Sequence, residues 1–161
     1  QCEYATKWEA STRVMIPIVA ESIYKGRLGE ACGRFVLEQN GIAVADIDDA
    51  FRFEKFDFVL PGTLGDQEVF IDFKHWKKQS DRMGWDSEKL VDWVFAKMEA
   101  IDAKKAIVAN VLPPDEGDYR ETYRSKGGRR LLVVPALVKG DCSFDETVIQ
   151  AIRRFTDGIA D

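Results

Sequence analysis

The sequence predicts an α/β fold, a mixed central sheet flanked by helices, and three observations carry that prediction. A helical stretch over residues 21–40 is followed by a cluster of short runs rich in aromatic and β-branched residues. A second helical stretch over 87–102 leads straight into a run with an uninterrupted apolar centre, Ala106-Ile107-Val108-Ala109, as a buried parallel strand requires. Strand, helix and buried strand in succession describe a parallel crossover. The 161 residues, 45% hydrophobic and 32% charged, suffice for one core and one domain.

Residues 1–20 read as an N-terminal arm or short helix, because Trp8, Val14, Met15, Ile16 and Ile18 keep no period and Pro17 interrupts a helix. The first long helix spans 21–40 and stops at Asn40-Gly41, which supplies a left-handed cap. Its stripe of Ile23, Gly26, Glu30, Gly33 and Leu37 sets Glu30 amid packed residues, with Leu28, Cys32 and Phe35 on an adjoining face. Strand character follows over 42–47, 50–53, 56–60 and 68–73, and the connection over 61–67, opened by Pro61-Gly62, reads as that of a hairpin. In the second helix Ser87 is the N-cap, and Leu90, Val94, Met98 and Ile101 fall at helical spacing. A buried strand is expected over 105–112, a polar connection over 113–128 and another strand over 130–134. Ser143 opens the last helix, with Glu146 three residues on as a capping box and Phe144, Val148, Ile152 and Phe155 as its buried stripe. The core thus occupies 21–112, and 113–161 completes the single domain 21–161.

Lys and Arg total 23 against 28 Asp and Glu, so the net charge of −5 argues against a protein that coats nucleic acid by bulk positive charge. Two local basic concentrations remain: Lys74, His75, Trp76, Lys77, Lys78 and Arg82, and Arg120, Arg124, Lys126, Arg129 and Arg130. Each alone reads first as a solvated face. No apolar run is long enough to span a membrane. Cys2, Cys32 and Cys142 cannot all pair and lack zinc-site spacing, which fits a reduced, cytoplasmic compartment. The start at Gln1, without a methionine or a signal-like segment, suggests an excised domain or a trimmed chain.

The chemistry sits in the strands. In Val69-Phe70-Ile71-Asp72-Phe73-Lys74 the side chains alternate, so Phe70, Asp72 and Lys74 share one side and Val69, Ile71 and Phe73 the other. Both sides are apolar enough to be covered, and charges in a covered sheet need a partner or a metal ion. Asp57 repeats the situation in Phe56-Asp57-Phe58-Val59-Leu60. If the two runs pair as a hairpin, Asp57 and Asp72 meet at one end of the sheet, where a divalent cation relieves their repulsion and Lys74 points into the same site. The other acid two residues before a lysine, Asp102-Ala103-Lys104, falls at a helix end where it can be solvated. Each residue alone has a plainer reading: an ion pair for Asp72 and Lys74, a turn aspartate for Asp57, and a helical pair with Arg27 or Arg34 for Glu30.

Together these residues resemble the PD-(D/E)XK, or restriction-endonuclease-like, nucleases. The resemblance covers about 21–112: a helix with Glu30 in Lys25-Gly26-Arg27-Leu28-Gly29-Glu30, strands with Asp57 and Asp72-Phe73-Lys74, then a helix and a buried strand, the order α-β-β-β-α-β of that superfamily's core. The position before Asp57 is Phe56, not the motif's proline, which is commonly absent in the superfamily. Gln79 is followed four residues on by Met83, so the Gln-x-x-x-Tyr extension of exonuclease-like members is missing. The resemblance implies Mg²⁺ or Mn²⁺ held by Asp57, Asp72 and the main-chain carbonyl of Phe73, and Glu30 holding or orienting a second ion or a water. Lys74 would assist deprotonation of the attacking water or neutralise charge on the phosphate.

His75 would point away from that site in a regular strand. Lys77, Lys78 and Gln79, just past the catalytic strand, are candidates for phosphate contacts, and Arg124, Lys126, Arg129 and Arg130 for gripping a strand from a mobile loop. The expected function is a metal-dependent endonuclease whose partner is nucleic acid, DNA ahead of RNA. The alternatives are an RNase of the same fold, toxin-type included, and an inactive member that binds nucleic acid or protein.

Overall fold

A computed structural model describes residues 17–62, 68–74, 87–113 and 120–158. The elements in chain order are α1 (Pro17–Gln39), α2 (Ala50–Phe53), β1 (Phe58–Leu60), β2 (Val69–Lys74), α3 (Glu88–Ala100), β3 (Lys105–Asn110), β4 (Thr122–Lys126), β5 (Arg129–Val134) and α4 (Glu146–Asp157). The strands form one five-stranded sheet in the order β1-β2-β3-β5-β4. β1 runs antiparallel to β2, as the hairpin reading expects, and β2, β3 and β5 are parallel to one another. The apolar runs of the parallel strands are buried on both faces. On one side Val69, Ile71, Phe73, Ile107 and Leu132 pack with Val36 and Leu37 of α1 and with Ile149 and Ile152 of α4. On the other, Phe70, Val108 and Leu131 pack with Leu90, Val94 and Met98 of α3. Helices on both faces cover a mixed sheet, the α/β class that the sequence predicts.

Several boundaries differ from the sequence-based expectation. Helix α1 begins earlier, at Pro17, a residue that costs no hydrogen bond in the first turn of a helix. Its end is as expected: Gly41 takes φ +73° and Ile42 N–H returns to the Leu37 carbonyl at 2.9 Å. Residues 42–47 do not form a strand; Ala45 alone pairs with Val59 before the acidic stretch Asp46, Asp48, Asp49 turns the chain away. Residues 50–53 are a helical turn instead of a strand, because the Asp49 carboxylate caps it by accepting from Arg52 N–H at 2.9 Å. The expected strand over 56–60 is shortened to Phe58–Leu60, which leaves Asp57 just outside it.

The polar connection expected over 113–128 contains β4, a charged edge strand that pairs with β5 through a tight turn. Gly127 and Gly128 take the positive φ values, 57° and 75°, that such a two-residue hairpin requires. The expected loop is therefore half of a hairpin. Helix α4 is capped by Asp145, which accepts from Thr147 N–H, whereas Ser143 spends its N–H and hydroxyl on Asp141 at 2.9 and 2.6 Å. At the far end of α4 the buried Lys105 donates to the Phe155 carbonyl at 3.2 Å, satisfying a C-terminal acceptor. No described helix is long and apolar enough to cross a membrane.

Candidate active site

The end of β1 builds the site. Its register pairs Phe58 with Ile71, so one further step sets Asp57 opposite Asp72. Asp57 N–H donates to the Ile71 carbonyl at 3.1 Å, and the Asp57 carboxylate accepts the Phe73 N–H through Oδ2 at 2.7 Å. The carboxylate thus takes over a strand-edge donor that β1 no longer reaches. Because N–H and C=O of one residue point the same way along an extended strand, the Phe73 carbonyl projects to this same edge.

Asp72 lies on the α3 face of β2 and is 3% exposed. Its Oδ2 accepts from Lys97 Nζ at 2.7 Å and pairs with Lys74 Nζ at 2.9 Å. Lys97 comes from α3, with its ammonium 4.5 Å from the ring centroids of both Phe56 and Trp93. Asp57, Asp72, Lys74 and Lys97 line one pocket of about 310 Å³, together with Phe56 and the more exposed Phe53, Glu54, Lys55 and Trp93.

The two aspartates are driven apart in proton affinity. Burial pushes the Asp57 carboxyl up and the Asp72 charge pushes it further, against the pull of Phe73 N–H and Lys74, to about 7. Burial also acts to raise Asp72, but Lys74 and Lys97 outweigh it and hold that carboxyl below the usual range. Burial draws Lys97 below the ordinary lysine value, with Asp72 opposing. The two shifts make Asp72 the group that favours the ionised form and Asp57 the group that more readily keeps a proton.

Glu30 stands on α1, on the opposite face of the sheet. Helix α1 reaches β2 closely because Gly33 has no side chain: a Cβ there would fall 2.3 Å from the Phe73 ring. One turn earlier, Glu30 pairs with Arg27 at 2.7 Å, while Arg34 is taken by Glu38 and Asp46. Glu30 does not line the pocket of Asp57 and Asp72. Its charge is nevertheless among those that raise Asp57, which sits at the sheet edge between the two faces.

The donor set suits a hard divalent cation. Asp57 and Asp72 each engage Oδ2, and neither Oδ1 accepts a hydrogen bond among the described residues. Two such oxygens and the Phe73 carbonyl are the few protein ligands that Mg²⁺ ordinarily takes beside water and phosphate. No group of three or more acidic, histidine or cysteine side chains placed to hold a metal occurs among the described residues, so Glu30 does not complete a three-carboxylate cluster here.

The sequence-predicted basic residues divide. Lys77, Lys78 and Gln79 lie outside the described residues, as do His75, Trp76 and Arg82. Arg124, Lys126, Arg129 and Arg130 lie on the β4–β5 hairpin, and β4 forms the sheet edge opposite β1. Three of them are engaged by acids: Arg124 with Glu88 at 3.6 Å, Lys126 with Asp92 at 2.8 Å and Arg129 with Asp102 at 3.2 Å. Arg130 rests 5.5 Å from the Phe155 ring. Lys97 is the site residue that sequence reasoning missed. Its signal was available, since it falls three residues after Val94 and seven after Leu90, on the side of α3 that faces the sheet. No model of a known protein family matches the chain, and no curated protein matches it.

Proposed function

We propose that the protein is a divalent-metal-dependent phosphodiesterase of the restriction-endonuclease-like class, an endonuclease acting on nucleic acid with DNA as its first substrate. The observation that carries this reading is the pairing of Asp57 and Asp72 at the end of a hairpin, with Lys74 in the same pocket and the Asp57 carboxyl pushed up to about 7. Asp57, Asp72 and the Phe73 carbonyl would hold Mg²⁺ or Mn²⁺, which when bound supplies positive charge to the phosphate and acidifies water. Lys97 keeps Asp72 ionised and in place. Lys74, the more exposed of its two partners, exchanges Asp72 for the phosphate and offsets the charge that develops there. Glu30 supplies a further negative charge from the far side of the sheet edge. The isolated Ala45–Val59 bridge stands where the first of the three expected strands would run, but two strands, not three, lie between α1 and α3 among the described residues.

A second reading has its own observation. Asp72 already has two ammonium partners on one oxygen, which is how a buried ion cluster of purely structural role, in a binding protein without catalysis, would look. Incubation with plasmid, linear DNA and RNA in Mg²⁺, Mn²⁺ or EDTA separates the two. Metal-dependent cleavage that EDTA abolishes is expected. Intact substrates under every metal condition would remove the nuclease reading, and cleavage of RNA alone would replace DNA by RNA.

A further inference from the structure

The pocket that holds Asp57 and Asp72 is also lined by two aromatic rings, Phe53 and Trp93, that are each about half exposed. Phe53 ends α2, a single helical turn that buries none of its side chains, and is 50% exposed. Trp93, on α3, is 45% exposed although its helix neighbours Val91, Val94 and Phe95 are buried. A single exposed ring is ordinary on a protein surface, but two half-exposed rings converging on one polar pocket are placed to meet a ligand. Their surroundings indicate its chemistry. Lys97 and Lys74 lie 4.5 and 5.8 Å from the Trp93 ring, and Lys55 lines the same pocket. Cations beside partly exposed aromatic rings are a combination that binds a polynucleotide whose bases are unstacked: ammonium groups meet phosphate and the exposed ring surface meets base faces. In a duplex those base faces are covered by their neighbours, and the rings would gain nothing.

We propose that Phe53 and Trp93 form a stacking platform for unpaired nucleobases, and that the strand brought to Asp57 and Asp72 is unpaired. Cleavage at this position rests on the nuclease reading; the binding does not. Stacking on aromatic rings is tolerant of sequence, because every base has a π-face. The platform therefore selects strand state, not sequence, and DNA and RNA share the chemistry.

The test is equilibrium binding of the full chain to labelled oligo-dT, oligo-U and a mixed-sequence duplex of equal length, in EDTA so that nothing is cut. Affinity for at least one single strand should exceed that for duplex by about ten-fold or more, and Phe53→Ala and Trp93→Ala should each weaken it by roughly five- to a hundred-fold. Trp93→Phe should keep most of it. Phe35→Ala, which removes an exposed ring from α1 outside this pocket, should change nothing. Phe53→Ala takes away a ring that is half exposed on a single helical turn with no buried residue, so the test survives if Trp93→Ala fails to fold. Equal or tighter duplex binding, or single-strand affinity unmoved by Phe53→Ala in a folded protein, overturns the platform. The two arms identify the sugar. Single-strand binding without metal-dependent cutting would overturn the nuclease reading and keep the platform, whereas duplex cutting without strand preference would do the reverse.

Discussion

The chain contains Asp-x-Lys twice, and both copies close an ion pair at the same 2.9 Å. Asp72 and Lys74 do so inside a covered strand, where Asp72 is almost wholly removed from solvent and a third charge, Lys97, has been brought in from α3. Asp102 and Lys104 do so after the end of α3, with side chains 75% and 55% exposed and Asp102 in the left-handed region at φ +52°. Water screens the second pair and offers either partner a replacement at almost no cost. Burial denies the first pair that exit, so each charge there depends on the others. Equal distance thus says nothing about equal consequence. What separates a candidate site from a surface contact here is the desolvation that Asp72 endures and the neighbour, Asp57, whose protonation it perturbs.

The largest expected break in that comparison is Asp72→Asn. It leaves Lys74 and Lys97 without their counter-ion in a low-dielectric setting, a loss of roughly 3–5 kcal/mol in denaturant unfolding. In the nuclease reading it also abolishes metal binding and cleavage together. Lys74→Ala should behave differently. It leaves Lys97 on Asp72, so folding and metal binding stay near the parent while single-turnover cleavage under saturating Mg²⁺ falls by about 10² or more. A Lys74→Ala protein that cuts as fast as the parent would rule out any role for this lysine in the transition state.

How legible this site was follows from the range of the interactions that make it. Strand alternation placed Asp72 and Lys74 on one face, and the hairpin placed Asp57 beside Asp72, because both are short-range consequences of a period of two. Lys97 is 25 residues from Asp72, and its meaning depends on which face of α3 meets the sheet. Two local rules were in conflict at residues 50–53: the aromatic content favours a strand, but Asp49 ends the competition by capping a turn of helix. The same conflict hid β4, whose charged composition reads as loop although Gly127-Gly128 and pairing with β5 make it an edge strand.

Proton linkage sharpens the comparison next. The Asp57 carboxyl, ordinarily near 3.8, is pushed to about 7, first by burial and then by Asp72. Between about pH 4 and 7 the folded protein keeps a proton that the unfolded chain has released. In EDTA its stability should therefore fall as pH rises through that window, by an amount of order a few kcal/mol. Asp72 acts oppositely: its lowered pKa contributes stability at higher pH, lost only as pH falls below the ordinary carboxylate range. Thermal unfolding from pH 4 to 8 should show the Asp57 slope, and Asp57→Asn should remove it. Mg²⁺ or Mn²⁺ competes with that proton, so the nuclease reading expects the ion to raise Tm more at pH 8 than at pH 5, whereas an ion cluster of structural role expects no such difference.

The smallest effect belongs to the solvated copy, and it is the control that gives the others meaning. Asp102 is held below the usual carboxylate range by hydrogen bonds from Lys104 and then from Arg129, yet its side chain remains largely open to water. Lys104→Ala removes one of two cations at a carboxylate that solvent already satisfies, so neither Tm nor its pH dependence should move beyond measurement error. Asp102→Asn keeps a side chain tolerated at positive φ, and so tests the charge without disturbing the turn after α3. Arg129 retains the Ala103 carbonyl at 2.7 Å as a second acceptor, which limits the loss further. Cleavage by both variants should equal that of the parent. A loss in either variant comparable to that of Lys74→Ala would show that Asp-x-Lys acts here by its local chemistry alone, and the weight placed on burial and on Lys97 would then be misplaced.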